Sequence, residues 1–202
     1  MRKAGVCLLL SVFFLLFQVC AMSDLAIGNI NGYLLFAFMA VVIVSLGKKY
    51  TYCVSVFFGI CIYCTVESFG WFDLVMYPIS AMVTAAVFSD RSDKKREQRA
   101  IAGKNTDDLP ALLRIILSCA MMCAIYHTIC IGYSFLSNDV LTFGHIGRAL
   151  LSTLYSVGLT LVIMIPCRAA LGLYTQRRRL KKIDREREQA ERRAAMGAVE
   201  EE

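Results

Sequence analysis

Six apolar stretches divide residues 1–174, and the charged residues lie mostly between them. The stretches cover residues 4–22, 32–46, 51–66, 74–88, 112–136 and 149–174. A helix needs about 20 apolar residues to cross a bilayer, within a range of roughly 17–25. The second, third and fourth stretches are short, so flanking aromatic residues must complete them at the interface. The pattern predicts an all-α integral membrane protein, a bundle of six transmembrane helices, with four spans as the alternative.

The basic residues indicate how these helices are oriented. If the N-terminus is cytoplasmic, all but one of the 22 Lys and Arg residues lie on the cytoplasmic side, and the exception is Arg148. The positive-inside rule then predicts that both termini are cytoplasmic. Composition agrees, because 57% of residues are hydrophobic and only 19% are charged, whereas soluble domains have about 25% charged residues.

The polar segments define the domain organisation. Residues 1–174 form the predicted transmembrane domain, with a cytoplasmic loop at 89–111. Residues 175–202 form a charged cytoplasmic tail, predicted to be a helix continuing the sixth span. The tail is either a solvated segment or a contact for anionic lipid or a cytoplasmic protein, since each basic residue near the inner leaflet contributes about 1 kcal/mol. Nucleic acid is not a predicted partner, because no part of the chain remains to form a fold that reads it.

The N-terminal stretch also has features of a signal peptide, with Arg2 and Lys3 before an apolar run and small residues after it. The apolar run exceeds the usual length of about 7–15 residues. Cleavage would also leave five spans and move the new N-terminus outside. We therefore interpret this stretch as an uncleaved first span.

The sequence offers little for catalysis or metal binding. All nine cysteines lie in or at the ends of apolar stretches, and Cys61 and Cys64 form a CxxC pair without a second pair or an adjacent His. Free cysteine behaves as a small hydrophobic residue, whereas a structural zinc site needs four ligands. No catalytic set of Ser, His and Asp and no paired carboxylates within the spans are present. We expect a protein that is not an enzyme and has no cofactor.

Polar residues at membrane depth remain the candidates for function, because burying them in lipid is costly. His127 lies near the middle of the fifth stretch beside Tyr126, and Glu67 and Asp73 flank Trp71 at the outer end of the third and fourth. A single histidine within a span most often packs helices through a hydrogen bond.

Small residues recur every four positions along the sixth stretch, at Ser152, Ser156 and Thr160. This spacing lets helix backbones approach closely, and close packing matters because lipid provides no hydrophobic drive for helix association. The stripe indicates either packing within the bundle or docking of a partner's membrane helix.

The order of these features resembles the bacterial rod shape-determining protein family MreD. The similar features are the basic first helix, the turn at Gly47-Lys48-Lys49, the third helix with Gly59, the outer turn at Phe69-Gly70, and a last helix from Arg148 to near Pro166. The resemblance covers residues 4–174.

The resemblance implies a non-catalytic scaffold of the cell-elongation machinery in the bacterial inner membrane. Such a scaffold binds an MreC-like membrane protein. It also connects the MreB filament to RodA and a penicillin-binding transpeptidase, and so helps to position peptidoglycan synthesis. The residues that we predict to contact a partner are Ser152, Ser156, Thr160 and Trp71. Anionic lipid is expected at the basic cytoplasmic face.

Two other interpretations stay open. The substrate-binding (S) subunits of energy-coupling-factor vitamin transporters also have about 200 residues, six helices and a basic cytoplasmic side. In that case Glu67, Asp73, Tyr126 and His127, near Trp71, would line a ligand pocket, since aromatic walls with a few polar groups form such pockets. The third interpretation is a small membrane protein with a regulatory tail.

Overall fold

The computed structural model describes residues 2–21, 30–65, 71–88, 110–136 and 143–171. This part of the chain contains six α-helices, which confirms the all-α class. They are α1 (Arg2–Cys20), α2 (Leu34–Leu46), α3 (Lys48–Thr65), α4 (Trp71–Phe88), α5 (Ala111–Leu136) and α6 (Phe143–Ala170). Most of the predicted loop 89–111 and the whole tail 175–202 lie outside the described residues, as does Glu67.

Helix α2 is the centre of the bundle. Its residues from Leu34 to Val44 are 0–2% exposed, and it contacts all five other helices. The helix contains no charged residue, glycine or proline that would favour one face over another. A helix that is apolar on all sides is stable only when it is surrounded, and the other helices provide that surrounding.

A single residue separates α2 from α3. Gly47 has a φ of 86°, a conformation that side chains with a Cβ rarely adopt. Its N–H bonds the Val42 carbonyl at 3.2 Å, and its own carbonyl accepts from the Thr51 N–H at 3.3 Å. The predicted basic turn is therefore shorter than expected, because Lys48 and Lys49 already belong to α3.

Helices α3 and α4 form the most extensive helix pair among the described elements. At their crossing, a Cβ on Gly59 would lie 2.8 Å from the Leu74 carbonyl oxygen and 3.4 Å from Pro78 Cδ. Pro78 has no N–H to donate to the carbonyl four residues earlier, which is that of Leu74. The freed carbonyl thus meets the one residue in α3 that is small enough to approach it.

The bundle has apolar side chains outside and many small polar groups inside. Leu8, Leu9 and Phe13 of α1 and Leu154 and Val162 of α6 are among the large apolar residues that are exposed. The buried polar or charged residues are Ser11, Ser45, Thr51, Ser55, Asp73, Ser80, Thr84, Arg114, Ser118, Ser152, Ser156, Thr160 and Arg168. This distribution suits lipid on the outside, where interfaces between helices use small and hydroxyl residues.

By length and composition, three described helices could cross a membrane: α4, α5 and α6. The apolar part of α1, Ala4–Cys20, and helix α2, Leu34–Leu46, are shorter. The structure thus supports fewer spans than the six that the sequence predicts.

Candidate functional site

The segment 30–33, which we call the α2-entry segment, leads into α2 without helical structure. Gln18 of α1 holds it from one side. The Gln18 Oε1 accepts a hydrogen bond from the Leu34 N–H at 2.8 Å, and its Nε2 donates to the Gly32 carbonyl at 3.4 Å. One amide side chain thus satisfies an N–H at the first turn of α2, which has no partner within the helix, and a carbonyl just before it.

Two serines of α6 hold the same segment from the other side. The Ser156 Oγ accepts from the Tyr33 N–H at 2.8 Å and donates to the Ser152 carbonyl at 2.8 Å. The Ser152 hydroxyl donates to the Asn31 carbonyl at 2.6 Å. The entry segment is therefore fixed between α1 and α6 by side chains in place of helical bonds.

Gly32 allows this close approach. A Cβ at this position would lie 2.7 Å from Leu159 Cδ1 and 2.9 Å from Tyr155 Cδ1 of α6. A larger residue would require the Leu159 and Tyr155 side chains or the segment itself to shift.

An aromatic cluster packs beside the entry segment and joins α2 to α4 and α5. The Tyr33 ring lies 5.2 Å from Tyr126 and 5.5 Å from His127, and the Phe36 ring lies 5.0 Å from Tyr77. These centroid distances are typical of favourable aromatic pairs. Tyr126 also donates a hydrogen bond through its hydroxyl to Asp73 Oδ1 at 3.1 Å.

The structure brings some of the predicted site residues together and separates others. Asp73 is only 5% exposed and bonds Tyr126, whereas Trp71 at the start of α4 is 67% exposed. His127 is half-buried and faces a cavity that neither Asp73 nor Tyr126 lines. Asp73 and Tyr126 thus bond each other apart from the cavity that His127 lines, and Glu67 lies outside the described residues, so the predicted pocket stays a prediction.

Ser152, Ser156 and Thr160 are all buried against the chain itself. Thr160 donates its hydroxyl proton to the Ser156 carbonyl at 2.8 Å, one turn earlier in α6. In this arrangement the stripe contacts the entry segment and its own helix. Contact between this stripe and a partner's helix stays a prediction. Because the three side chains are buried, such contact would require the bundle to open.

The described residues form neither a metal site nor a disulfide. Within the described ranges, no three His, Cys, Asp or Glu side chains come together in a way that could hold a metal ion. All nine cysteines are free thiols, including Cys61 and Cys64 of the CxxC pair.

Gln18 and Gly32 are the important residues that the sequence reasoning did not single out. Gln18 is the only amide in the apolar run of α1. A polar side chain within such a run is a signal for a specific partner. Gly32 carries no such signal, because its role depends on which helix lies beside it.

No protein-family model, curated protein or solved structure significantly matches this chain. The interpretation of its function therefore depends on the residues and their geometry.

Replacing Ser156 with alanine should destabilise the bundle by about 1–2 kcal/mol, because the Tyr33 N–H loses its acceptor. Unfolding of the purified protein by SDS, followed by circular dichroism, measures the change. The matched control is Thr128→Ala, since the Thr128 hydroxyl only donates to the Ala124 carbonyl of its own helix and is exposed. Equal effects of the two substitutions would show that the entry segment is not held by Ser156.

Proposed function

We propose that the chain is a non-catalytic membrane scaffold of the MreD type. It would dock an MreC-like membrane protein in the bacterial inner membrane and help to position peptidoglycan synthesis. The observation that carries the proposal is that polar side chains lie inside the bundle and apolar side chains lie on its outer surface. The polar groups around the entry segment bond the chain's own backbone, and α1 and α6 present apolar faces outward. Such faces can contact lipid or a partner's helix.

In the proposed topology all six helices cross the membrane. Helix α2 has 13 residues and is about 20 Å long, short of a hydrocarbon core of about 30 Å. The four-residue entry segment adds at most roughly 13 Å, since even an extended chain rises only about 3.3 Å per residue. Non-helical backbone is tolerated at membrane depth only where protein groups satisfy it. The bonds from Gln18, Ser152 and Ser156 to this segment meet that condition, so they support a span at α2 that its length alone does not.

For partner contact the proposal relies first on Trp71. This residue lies at the first turn of α4, with its indole mostly exposed. Trp is enriched among the residues that dominate binding energy in protein interfaces. An MreC-like protein is the proposed direct partner, with RodA, a transpeptidase and MreB reached through the same assembly. The basic cytoplasmic segments would contact anionic lipid.

The vitamin-transporter interpretation has weaker support. Asp73 and Tyr126 bond each other, and their burial leaves little surface for a ligand. It stays as one outcome of the test below.

A pull-down of the tagged full chain from bacterial membranes in mild detergent tests the proposal. We expect an MreC-like protein, identified by mass spectrometry, to co-purify, and Trp71→Ala to lower its recovery several-fold. Tyr63→Ala is the control, because Tyr63 is an exposed aromatic residue on the neighbouring helix α3. Recovery of an ATPase pair, or of a bound vitamin, would favour the transporter. Recovery of no elongation protein would contradict the scaffold.

A further inference from the structure

A cavity of about 250 Å³ opens between the entry segment, α5 and α6. Its polar lining residues are Asn31, Tyr33, His127, Ser134, His145, Arg148 and Ser152. Both of the chain's histidines lie here, together with the one basic residue that the sequence assigns to the outer side. The residues that line this described cavity include no acid, and Arg148 brings a positive charge to it.

His127 gives the strongest indication of a ligand. Its Nε2 atom is buried and has no hydrogen-bond partner in the described part of the chain. The ring is held by edge contacts to Tyr33 and Tyr126, at 5.5 Å and 5.9 Å between centroids. A buried polar atom without a partner is costly. The ring lines the cavity, and a turn of the ring would bring this nitrogen to a group bound there.

The arrangement of the donors around this nitrogen limits the chemistry of that group. His145 and Arg148 are one turn apart on α6, His127 is on α5, and Asn31 belongs to the entry segment. Nitrogen-containing side chains from three elements thus line one cavity. A phosphate has more acceptor oxygens to meet such side chains than a carboxylate has. Arginine binds phosphate oxygens in pairs through its planar fork of N–H groups.

We propose that this cavity binds a phosphate group, with Arg148 as the charged contact and His127 as the buried one. A water molecule accounts for about 30 Å³, so the cavity has room for a phosphate with a short attached group. The phosphate belongs either to a soluble small molecule or to a lipid headgroup. The site does not depend on the proposed scaffold role, because none of its bonds involves the outer face near Trp71.

Equilibrium dialysis of the full chain in detergent against radiolabelled inorganic phosphate tests the soluble source. Native mass spectrometry after addition of phosphatidylglycerol tests the lipid source. We expect saturable binding in one arm. Arg148→Gln should weaken binding at least tenfold, because it removes the charged contact. The Arg148 side chain is exposed, so replacing it does not disturb the packing of the bundle. His127→Phe should weaken it several-fold while the ring contacts persist. Lys48→Gln is the control, since it removes an exposed charge beyond the other end of α2.

The two sources give different results. A soluble ligand predicts phosphate binding that phosphatidylglycerol does not compete away. A lipid ligand predicts retained phosphatidylglycerol that displaces labelled phosphate. Either result supports the site only if Arg148→Gln removes it and Lys48→Gln does not. Absence of binding in both arms, or binding that is equal in these two variants, overturns the proposal.

Discussion

Replacing Gly59 with valine is expected to destabilise the bundle by about 3 kcal/mol, since overpacking usually costs about 1–3 kcal/mol and this site cannot relax. The new Cβ would lie 2.8 Å from the Leu74 carbonyl oxygen. That oxygen belongs to the backbone of α4, so no change of rotamer relieves the contact. Helices α3 and α4 would have to separate along their whole interface. SDS unfolding of the purified variant, followed by circular dichroism, should show this loss.

The same substitution at Gly158 is the matched control. Gly158 lies within α6, and a Cβ there would meet nothing within 4 Å. Because valine has a higher helix propensity than glycine, Gly158→Val should be neutral or stabilise by a few tenths of a kcal/mol. Membrane insertion should persist in both variants, since insertion depends on apolar composition. A Gly59→Val protein as stable as the wild type would mean that α3 and α4 do not cross at this point.

The helices that were best predicted are those whose boundaries coincide with abrupt changes in polarity. The fifth stretch, 112–136, matches α5 to one residue, since charged or polar residues flank both ends. The start of α6 was placed six residues too late, at Ala149. Gly144, His145 and Gly147 lower the hydropathy there, but a protruding helical end can continue through such residues because it need not stay in lipid.

The short second stretch shows why length alone misleads. The sequence places Gly32 and Tyr33 in a helix, but the structure starts α2 at Leu34. Gly32 must approach Leu159 and Tyr155 of α6, and this contact is between residues more than 120 positions apart. Helix propensity depends on neighbouring residues in the sequence, so it does not predict such a contact.

The sequence predicts several residues of the candidate site but not their partners. The spacing of Ser152 and Ser156 predicts a close approach to α6, which the structure shows, but it does not say what approaches. The answer, the backbone of the entry segment, follows from the tertiary position of α2. Likewise, Asp73 and Tyr126 were both named for their polarity. Their hydrogen bond joins α4 to α5 across 53 positions in the sequence, and no periodicity encodes it.

Truncating Phe38 to alanine is the second change expected to have a large effect. Phe38 is fully buried at the centre of α2, with its ring 4.9 Å from that of Phe14 on α1 and 6.1 Å from that of Phe58 on α3. Removing the ring leaves a cavity between three helices. In protein cores this substitution costs about 3–5 kcal/mol. We expect about 2–4 kcal/mol in a membrane bundle, because lipid removes the solvent-transfer part while the lost packing contacts remain.

Phe13→Ala is the matched control, because it removes a phenyl ring that is exposed instead of one that is packed between helices. Phe13 neighbours Phe14 on α1, but it is 55% exposed and faces away from α2. Detergent or lipid chains can fill the space that its ring leaves, so its loss should cost less than about 1 kcal/mol. SDS unfolding of both variants gives the comparison, and benzene should partly restore Phe38→Ala, since an apolar cavity stays dry and binds such ligands. Equal losses in the two variants would contradict the central position of α2, on which the proposed six-span topology depends.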